Sequence, residues 1–463
     1  MSQTARTALP PYAGLPTDLD AAYRRITWRL LPFLMGLWIL SWIDRVNIGF
    51  AKLQMLADLK FSETVYGIGA GIFFLGYFLC EVPSNLLLEH IGARRTIARI
   101  TFLWGACCVA MMFVTTPAGF YALRFLLGVF EAGFYPGVIL FLTYWYPTER
   151  RARVFGLFMS ASALAGVIGG PLAGAIMTGM DGVNGWAGWQ WVFLIEGIPS
   201  ILAGFVTLFY LTDRPAKALW LTDTQRALVV ADLARDAAAL GPREHRILAS
   251  LKDARVWQCI AIFFSIVTAN SALTFFGPSV VREAGFTDPL TIGWILSGAY
   301  LCGGAGMILN GLHSDRSGEA RLHCGVPALV GAAAIALLGF LVPVSPALSV
   351  VALTVAIVGA MSAIPVFWQI PGRFLAGSAA AAGIALINSV ANLAGFGAPA
   401  AMGFLRELTG SVSTGLWIVA AVEGFALVLI FSFVPPEPPA PETPAPETPA
   451  PETPAPEPRI AVA

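Results

Sequence analysis

Twelve apolar segments, each about as long as a bilayer is thick, constrain this chain more than any other feature. They are Leu30–Ala51, Tyr66–Leu88, Ile97–Val114, Phe120–Tyr144, Val154–Met177, Trp191–Leu211, Trp257–Val281, Thr291–Leu312, Val326–Val342, Leu348–Ile370, Ala379–Phe404 and Thr414–Val434. A helix of about 20 apolar residues crosses the hydrocarbon core. Only 12% of the 463 residues are charged, whereas soluble domains carry about 25%. We therefore predict an all-α membrane protein with twelve transmembrane helices.

The distribution of Lys and Arg predicts the orientation of these spans. If both termini are cytoplasmic, the outer loops hold four of the 28 Lys and Arg residues: Lys52, Lys60, Arg282 and Arg406. The cytoplasmic segments hold all the others except Arg45 and Arg124, which lie inside spans. Cytoplasmic loops carry the excess of basic residues. We predict a multi-pass protein of the plasma (inner) membrane with both termini in the cytoplasm.

The spans divide into two groups of six around a polar centre. We predict a cytoplasmic N-terminal segment (1–29), a first six-helix bundle (30–211), a cytoplasmic central loop (212–256), a second six-helix bundle (257–434) and a tail (435–463). In the central loop, Leu-Thr-Asp-Thr before a helix-forming run is an N-cap signature and predicts a short helix. The tail repeats PAPET and is rich in Pro and Glu, which predicts an extended, disordered segment.

Span 5 contains GVIGGPLAG, which places Gly166, Gly170 and Gly174 four residues apart. Small residues at this period let two membrane helices approach closely. We predict close packing of span 5 against another helix, with Pro171 as a point of bending.

A related motif follows span 2 and span 8. The first copy is NLLLEHIGARR and the second is GLHSDRSGEAR, and aligning Gly92 with Gly318 also aligns Glu89 with Asp315. Two ordinary basic loops are the alternative interpretation. The pattern resembles the loop motif of the major facilitator superfamily, whose fold is two six-helix bundles around a midplane cavity. The resemblance implies that six residues latch the two halves on the cytoplasmic side: Glu89, Gly92, Arg94, Asp315, Arg316 and Gly318.

Charged residues inside spans mark the candidate site, because placing a charged side chain at the centre of a bilayer costs at least about 2.5–3.5 kcal/mol unless it is paired or hydrated. They are Asp44, Arg45, Glu81, Arg124, Glu131, Glu196 and Glu423. Asp44 and Arg45 point about 100° apart on one helix, so they cannot pair face to face. Arg124 and Glu131 lie two turns apart on one face. We interpret Asp44, Arg45, Arg124 and Glu131 as one polar cluster, and Glu81 and Glu196 as structural.

This cluster suits the transport of an anion together with protons. An arginine keeps its charge, and its planar fork matches a carboxylate. A partly desolvated acid near an arginine can load and release a proton as its access changes. A buried salt-bridge network is the structural alternative, although such pairs stabilise proteins poorly.

The second half offers residues for the other side of a site. They are Phe276, Trp368, Gln369, Asn388 and Asn392. Asn388 and Asn392 share one helix face, and amides suit the recognition of hydroxyl or carboxyl groups. Contacts between helices are the alternative for the amides, and core packing is the alternative for the aromatic residues.

Several strings resemble one branch of the superfamily, the anion:cation symporter family. They are DRVNIGFAKLQM, GAGIFFLGYFLCEVPSNLLLEHIGARR, RFLLGVFEAGFYPGVILFLTYWYPTERRAR, GWQWVFLIEG and GIALINSVANLAGF. Family members carry organic anions such as tartrate, phthalate and hexonates, usually with protons. The resemblance implies that Asp44 and Glu131 carry protons, that Arg45 binds the substrate carboxylate and that Arg124 partners Glu131. It also implies substrate contacts by Tyr77 and Asn388.

The sequence departs from the family pattern in several places, which include Ala391 and Ala394 where Gly is common and Arg373 in PGRF. Span 7 reads FFGP where FWLP is usual, so Phe276 replaces the usual aromatic residue. Span 5 reads SASALAG and lacks the substrate-binding Gln of some members. These departures argue against hexonates, and GFAKLQM and LTYWYPTERRAR look most like tartrate-type permeases.

We expect a secondary active transporter that takes up a small organic anion with protons by alternating access, acting as a monomer. No cofactor, metal or nucleic-acid partner is expected, and neither is an enzymatic activity. An exporter of amphipathic drugs, a carrier coupled to sodium or to no ion, and a membrane anchor whose PAPET tail recruits a partner are the alternatives.

Overall fold

The computed structural model describes residues 16–240, 253–375 and 377–432. The predicted tail, the first fifteen residues and part of the central loop lie outside these residues. The described helices are α1 Pro16–Leu59, α2 Glu63–Ile91, α3 Ala93–Ala110, α4 Pro117–Glu131, α5 Phe134–Thr143, α6 Thr148–Met159, α7 Ala161–Met180, α8 Gly188–Tyr210, α9 Asp223–Leu240, α10 Ala254–Glu283, α11 Pro289–Ser317, α12 Arg321–Leu341, α13 Pro346–Phe367, α14 Gln369–Gly372, α15 Gly377–Ala391, α16 Ala394–Thr409 and α17 Val412–Ser432.

Twelve helical segments in the described chain are long and apolar enough to cross a membrane, which confirms the predicted fold class. Span 4 consists of α4 and α5, span 5 of α6 and α7, span 10 of α13 and α14, and span 11 of α15 and α16. The helix predicted after Leu-Thr-Asp-Thr is α9. Its start is fixed by Thr222, whose hydroxyl accepts a hydrogen bond from the Gln225 amide at 3.2 Å.

The two halves of the chain, residues 16–240 and 253–432, meet along the spans. We call the end of the molecule that carries Gly92 and Gly318 the loop-motif end. The opposite end, where α1 passes to α2 and α16 to α17, is called the far end. The sequence predicts that the loop-motif end is cytoplasmic.

The hydrophobic cores show that the halves are closed together at the far end. One buried cluster joins first-half residues such as Ile48 and Phe120 to second-half residues such as Leu273 and Ile292. Towards the loop-motif end each half has a separate core, which includes Trp104 in the first half and Phe367 in the second. The apolar contact between the two halves is therefore concentrated at the far end.

Small residues allow this close approach, as the glycine period in span 5 predicted. A Cβ at Gly170 would lie 2.7 Å from the carbonyl oxygen of Gly293 in span 8, nearer than real Cβ atoms come. Gly166 faces the ring of Tyr300 and Gly174 faces the Pro289 backbone in the same way. Spans 5 and 8 therefore form an interface between the two halves in which the backbones approach closely at Gly170 and Gly174 and the Tyr300 ring packs on Gly166.

Charged side chains lock the far end. Arg406 lies 3.4 Å from Glu63 of the first half and 3.3 Å from Glu283 of its own half. Lys52 lies 2.7 Å from Glu63. We call Lys52, Glu63, Glu283 and Arg406 the far-end lock. The Thr64 amide also donates to Glu407 at 2.8 Å across the halves.

The repeated glycines at the loop-motif end both have positive φ angles. Gly92 ends α2 with φ of 91°, and Gly318 ends α11 with φ of 67°, a region that L side chains rarely adopt. The Arg94 amide donates to Asp213 at 2.8 Å, and Gln369 donates to Asp315 at 3.0 Å. Each of these bonds stays within one half, so they do not hold the halves together at this end.

Candidate functional site: an arginine–glutamate pair between spans 1 and 4

Arg45 and Glu131 form the ion pair at the centre of the candidate site. The Ser41 hydroxyl donates to the same carboxylate oxygen, Oε1, at 2.6 Å. Glu131 Oε2 and Arg45 Nε have no hydrogen-bond partner among the described residues. The pair therefore leaves both a guanidinium donor and a carboxylate acceptor unused.

Aromatic rings surround the Arg45 guanidinium. Its central carbon lies 5.0 Å from the ring centre of Phe73, 5.4 Å from that of Trp42 and 5.7 Å from that of Tyr77. Ring faces attract cations, and they present few groups that compete for the guanidinium hydrogens. The Arg45 side chain is 13% exposed, whereas Glu131 is 1% exposed. Arg45 is therefore the member of the pair that a solute can reach.

A break in span 4 places Glu131. The residue ends α4; Ala132 has ψ of 133°, and Gly133 lies in the left-handed region with φ of 82° before α5 begins. A Cβ at Gly133 would lie 2.6 Å from the Cβ of Ser84 in span 2. Glycine is needed here both for the backbone conformation and for the space.

Asp44 points away from Arg45, into the first half. Its carboxylate accepts hydrogen bonds from Ser200 at 2.5 Å, Trp104 at 3.0 Å and the Cys108 thiol at 3.3 Å. It is 1% exposed. Asp44 and Arg45, which are consecutive in span 1, therefore lie in two separate environments, as their angular separation on the helix predicts.

Arg124 is also directed away from the pair. It is fully buried and donates to the carbonyl oxygens of Gly69 and Ala70 in span 2, both at 3.1 Å. The resemblance implied that Arg124 partners Glu131, but the ion-pair partner of Glu131 in this conformation is Arg45. The predicted cluster of four is therefore one ion pair with Asp44 and Arg124 on separate sides.

The residues predicted in the second half do not gather around Arg45 in this conformation. Phe276 is buried at the far end, where its ring centre lies 5.4 Å from that of Tyr66 and 3.9 Å from Lys52 Nζ. Trp368 packs against Phe263. Gln369 bonds to Asp315 of the loop motif.

Span 11 faces the first half near the loop-motif end. Asn388 and Asn392 are partly buried there, and the helix is interrupted at Asn392 and Leu393, between α15 and α16. The neighbouring Ser389 donates to Glu81 of span 2 at 3.2 Å. In the loop motif Glu89, Asp315 and Arg316 are exposed.

Sequence reasoning missed the role of Lys52. It assigned this residue to an outer loop, but α1 continues to Leu59, so Lys52 lies inside the helix and is 4% exposed. The signal was available, because no helix breaker occurs between Ala51 and Leu59. Its partner Glu63 could not be found this way, because the pairing depends on how α2 folds back.

The fold and the site together define a membrane carrier built from two six-helix bundles with a charged pair between spans. The family model described as the Major Facilitator Superfamily matches residues 34–399. The chain belongs to this superfamily. It is a multi-pass membrane transporter rather than an enzyme.

Similar proteins agree with this assignment. A protein of Agrobacterium vitis named "Putative tartrate transporter" is 46% identical over 91% of this chain and 97% of its own length. A quinolone resistance transporter of Acinetobacter baumannii is 40% identical over 88% of this chain and 94% of its own. The crystal structure of a bacterial homologue of the human lysosomal transporter Spinster has a TM-score of 0.73 and 15% identity, covering 88% of this chain and 96% of that chain. That structural similarity concerns the fold.

Proposed function

We propose that this protein takes up a small organic anion of the tartrate type together with protons. The observation that carries the proposal is the Arg45–Glu131 pair, a reachable guanidinium held by one oxygen of a buried carboxylate. A substrate carboxylate has the same shape and charge as the side chain that it would displace. The tartrate-type relative supports this substrate class.

Protons enter the mechanism through Glu131. When Glu131 Oε2 takes up a proton, the side chain becomes neutral and its attraction for Arg45 falls. The guanidinium then needs a new anion, since an unpaired buried charge is costly. The substrate carboxylate supplies it, so that proton and anion are loaded together. Asp44, which directly precedes Arg45 in span 1, is the second proposed proton carrier.

The remaining substrate contacts are proposed from where the predicted residues lie relative to Arg45 and to the other half. Tyr77 lies near Arg45, and Asn388 and Asn392 are partly buried in span 11, where Ser389 bonds to Glu81 of the first half. They can recognise the hydroxyl groups of a hydroxy-dicarboxylate by hydrogen bonds. Phe276 and Trp368 would join them only after the halves move. Arg124 supports the site through the backbone of span 2.

In alternating access, the far end and the loop-motif end would open in turn. With the loop-motif end in the cytoplasm and both termini there, this conformation would be the one whose outer side is packed by the shared apolar core and the far-end lock. Release of the far-end lock and closure of the loop-motif end would turn the site to the outside.

Uptake into proteoliposomes tests the proposal. Purified protein should accumulate labelled tartrate when the vesicle interior is made alkaline relative to the outside, and a sodium gradient at equal pH should not drive uptake. A panel of sugar acids and dicarboxylates tested as competitors then ranks the substrates. Accumulation that follows sodium and ignores pH would contradict the coupling ion. Failure of every carboxylate to bind would contradict the substrate class.

Drug export is the second candidate, because the quinolone resistance transporter is a relative. Quinolones carry a carboxylate, so Arg45 could also bind one. Export would show as lower quinolone accumulation in cells that express this protein than in cells that express the Arg45→Ala variant. We expect no difference between the two.

A further inference from the structure

A second buried acid lies beside Asp44 in the first half. Glu196 of α8 is 3% exposed, and neither of its carboxylate oxygens has a hydrogen-bond partner among the described residues. It precedes Ser200 by one helical turn, and the Ser200 hydroxyl donates to Asp44 at 2.5 Å. Asp44 is an electrostatic neighbour of Glu196. We call Asp44 and Glu196 the inner acid pair.

The surroundings of the inner acid pair contain no balancing cation. Span 1 contributes Asp44 and Asn47, and span 3 contributes Cys108, which lies close to both acids. The α7 segment of span 5 has no charged residue. The nearest arginines are engaged elsewhere: Arg45 binds Glu131, and Arg124 donates to backbone carbonyls. In the described part of the chain, no Lys or Arg forms an ion pair with either acid.

Two ionised carboxylates would be strongly destabilised side by side in this buried environment. Each would lose its hydration, and the two charges would repel each other in a medium of low dielectric constant. The pair must therefore hold at least one proton when the molecule is loaded. Three donors point at Asp44 and stabilise its charge, whereas the side-chain amide next to Glu196, that of Asn47, donates to Cys108 Sγ at 3.5 Å. The proton accordingly belongs on Glu196 in this conformation.

A metal ion fits this place less well than a proton. A cation such as sodium needs several oxygen atoms whose lone pairs are free. The hydrogens of Trp104, Ser200 and Cys108 already point at the Asp44 oxygens. A proton needs one acceptor, and the Glu196 carboxylate offers two.

We propose that Glu196 is a proton-binding residue of the transport cycle, which shares one coupling proton with Asp44 and sets the pH at which that proton is bound. This inference rests on the proposed proton-coupled transport. The proton is shared by the Asp44 and Glu196 carboxylates while the pair is dry. When movement of the halves admits water to the pair, the proton passes to that water and leaves two hydrated negative charges. All its members belong to the first half, so the pair stays intact while the halves rock.

The Glu196→Gln variant tests this assignment through the pH profile of uptake. In the wild type, repulsion between the two acids makes the pair hold its proton tightly. With a neutral amide at position 196, Asp44 alone must bind the proton while three donors stabilise its charged form. Proton-driven uptake should then need a lower pH, with the profile moved by about one unit, the size of coupling typical of interacting sites.

Glu423→Gln is the matched control. Glu423 is also fully buried and has both oxygens unpartnered, but it lies in span 12 against Gly331, away from any other acid of the site. Its pH profile should equal that of the wild type. Glu196→Asp, which keeps an acid, should also retain the wild-type profile.

The outcomes separate this inference from the proposed function. If wild-type uptake does not respond to a pH gradient, proton coupling fails and the inference fails with it. If the wild type responds and Glu196→Gln follows the same profile, the inference alone is overturned.

If the Glu196→Gln variant does not fold, infrared spectroscopy of the wild type and of the other variants tests the assignment. In the wild type and in Glu423→Gln, raising the pH should remove a protonated-carboxyl band, and this band should be shifted in Glu196→Asp. A band unchanged in Glu196→Asp would overturn the assignment.

Discussion

At the scale of single residues, the incomplete ion pair of Arg45 is the most informative feature. A fully satisfied guanidinium–carboxylate pair would use two parallel hydrogen bonds. Here one Glu131 oxygen serves both Arg45 and Ser41, while the other oxygen and Arg45 Nε stay unused. Such a pair holds the arginine in place without satisfying it, which suits a partner that must be exchanged in each cycle.

Replacing Arg45 should abolish substrate binding. Arg45→Ala removes the charge, and Arg45→Lys keeps a point charge but loses the planar fork that matches a carboxylate. We expect no thermal stabilisation by tartrate in the Ala variant and at least about a tenfold weaker affinity in the Lys variant, corresponding to about 1.4 kcal/mol. Arg153→Ala, which removes an exposed arginine of α6, should bind like the wild type. Undiminished stabilisation of Arg45→Ala would exclude Arg45 from the site.

Replacing Glu131 should separate binding from proton coupling. Glu131→Gln resembles the protonated side chain, so Arg45 remains available to the substrate. Exchange of labelled for unlabelled substrate at equal pH should continue, whereas accumulation driven by a pH gradient should disappear. Both are measured in the same proteoliposomes. Accumulation at the wild-type level would show that Glu131 carries no coupling proton.

At the scale of helices, the break in span 4 determines where the acid of the site lies. Gly133→Ala should destabilise the protein, because its φ of 82° is strained for an L side chain and the new Cβ would meet Ser84. The strain alone costs about 1–2 kcal/mol. Gly156→Ala in α6 is the control, because a Cβ there meets nothing within 4 Å and alanine favours a helix. Thermal unfolding in detergent compares the two. Equal melting temperatures would show that the break tolerates a side chain.

The sequence predicts continuous elements better than their interruptions. Long apolar runs and the positions of Lys and Arg are enough to count twelve spans, and the glycine period in span 5 predicts its packing. The run around Ala132 and Gly133 is as apolar as its neighbours, so the break after Glu131 leaves no mark in composition. The partners of Asp44 come from spans 3 and 6, and no local pattern indicates contacts between residues more than fifty positions apart. The angle between Asp44 and Arg45, in contrast, follows directly from helix geometry.

At the scale of the whole molecule, the far-end lock joins the two halves at the far end. It contains two basic and two acidic side chains from both halves, so reversing one charge should leave a repulsive excess. We expect Arg406→Glu to favour the outward-open conformation. The distance between spin labels at the exposed residues Val183 and Val344 should increase. The added exchange Glu63→Arg should restore the shorter distance. An unchanged distance distribution in Arg406→Glu would show that apolar contacts alone keep the far end closed.

Removing the PAPET tail should leave transport intact. A chain that stops before Pro435 keeps all twelve spans. A carrier should therefore transport tartrate at the wild-type rate per protein molecule, whereas an anchor that recruits a partner through its tail should lose its function. Loss of uptake with normal insertion in the membrane would favour the recruiting alternative.

The apolar core that joins the halves at the far end has a thermodynamic consequence. Opening that end separates buried side chains such as Ile48 and Leu273 and brings them towards water. Exposure of apolar surface to water raises the heat capacity. On cooling, the hydrophobic effect that keeps these side chains buried becomes weaker. The balance between the inward and outward conformations should consequently curve with temperature instead of following a straight van't Hoff line, with the outward conformation gaining population in the cold.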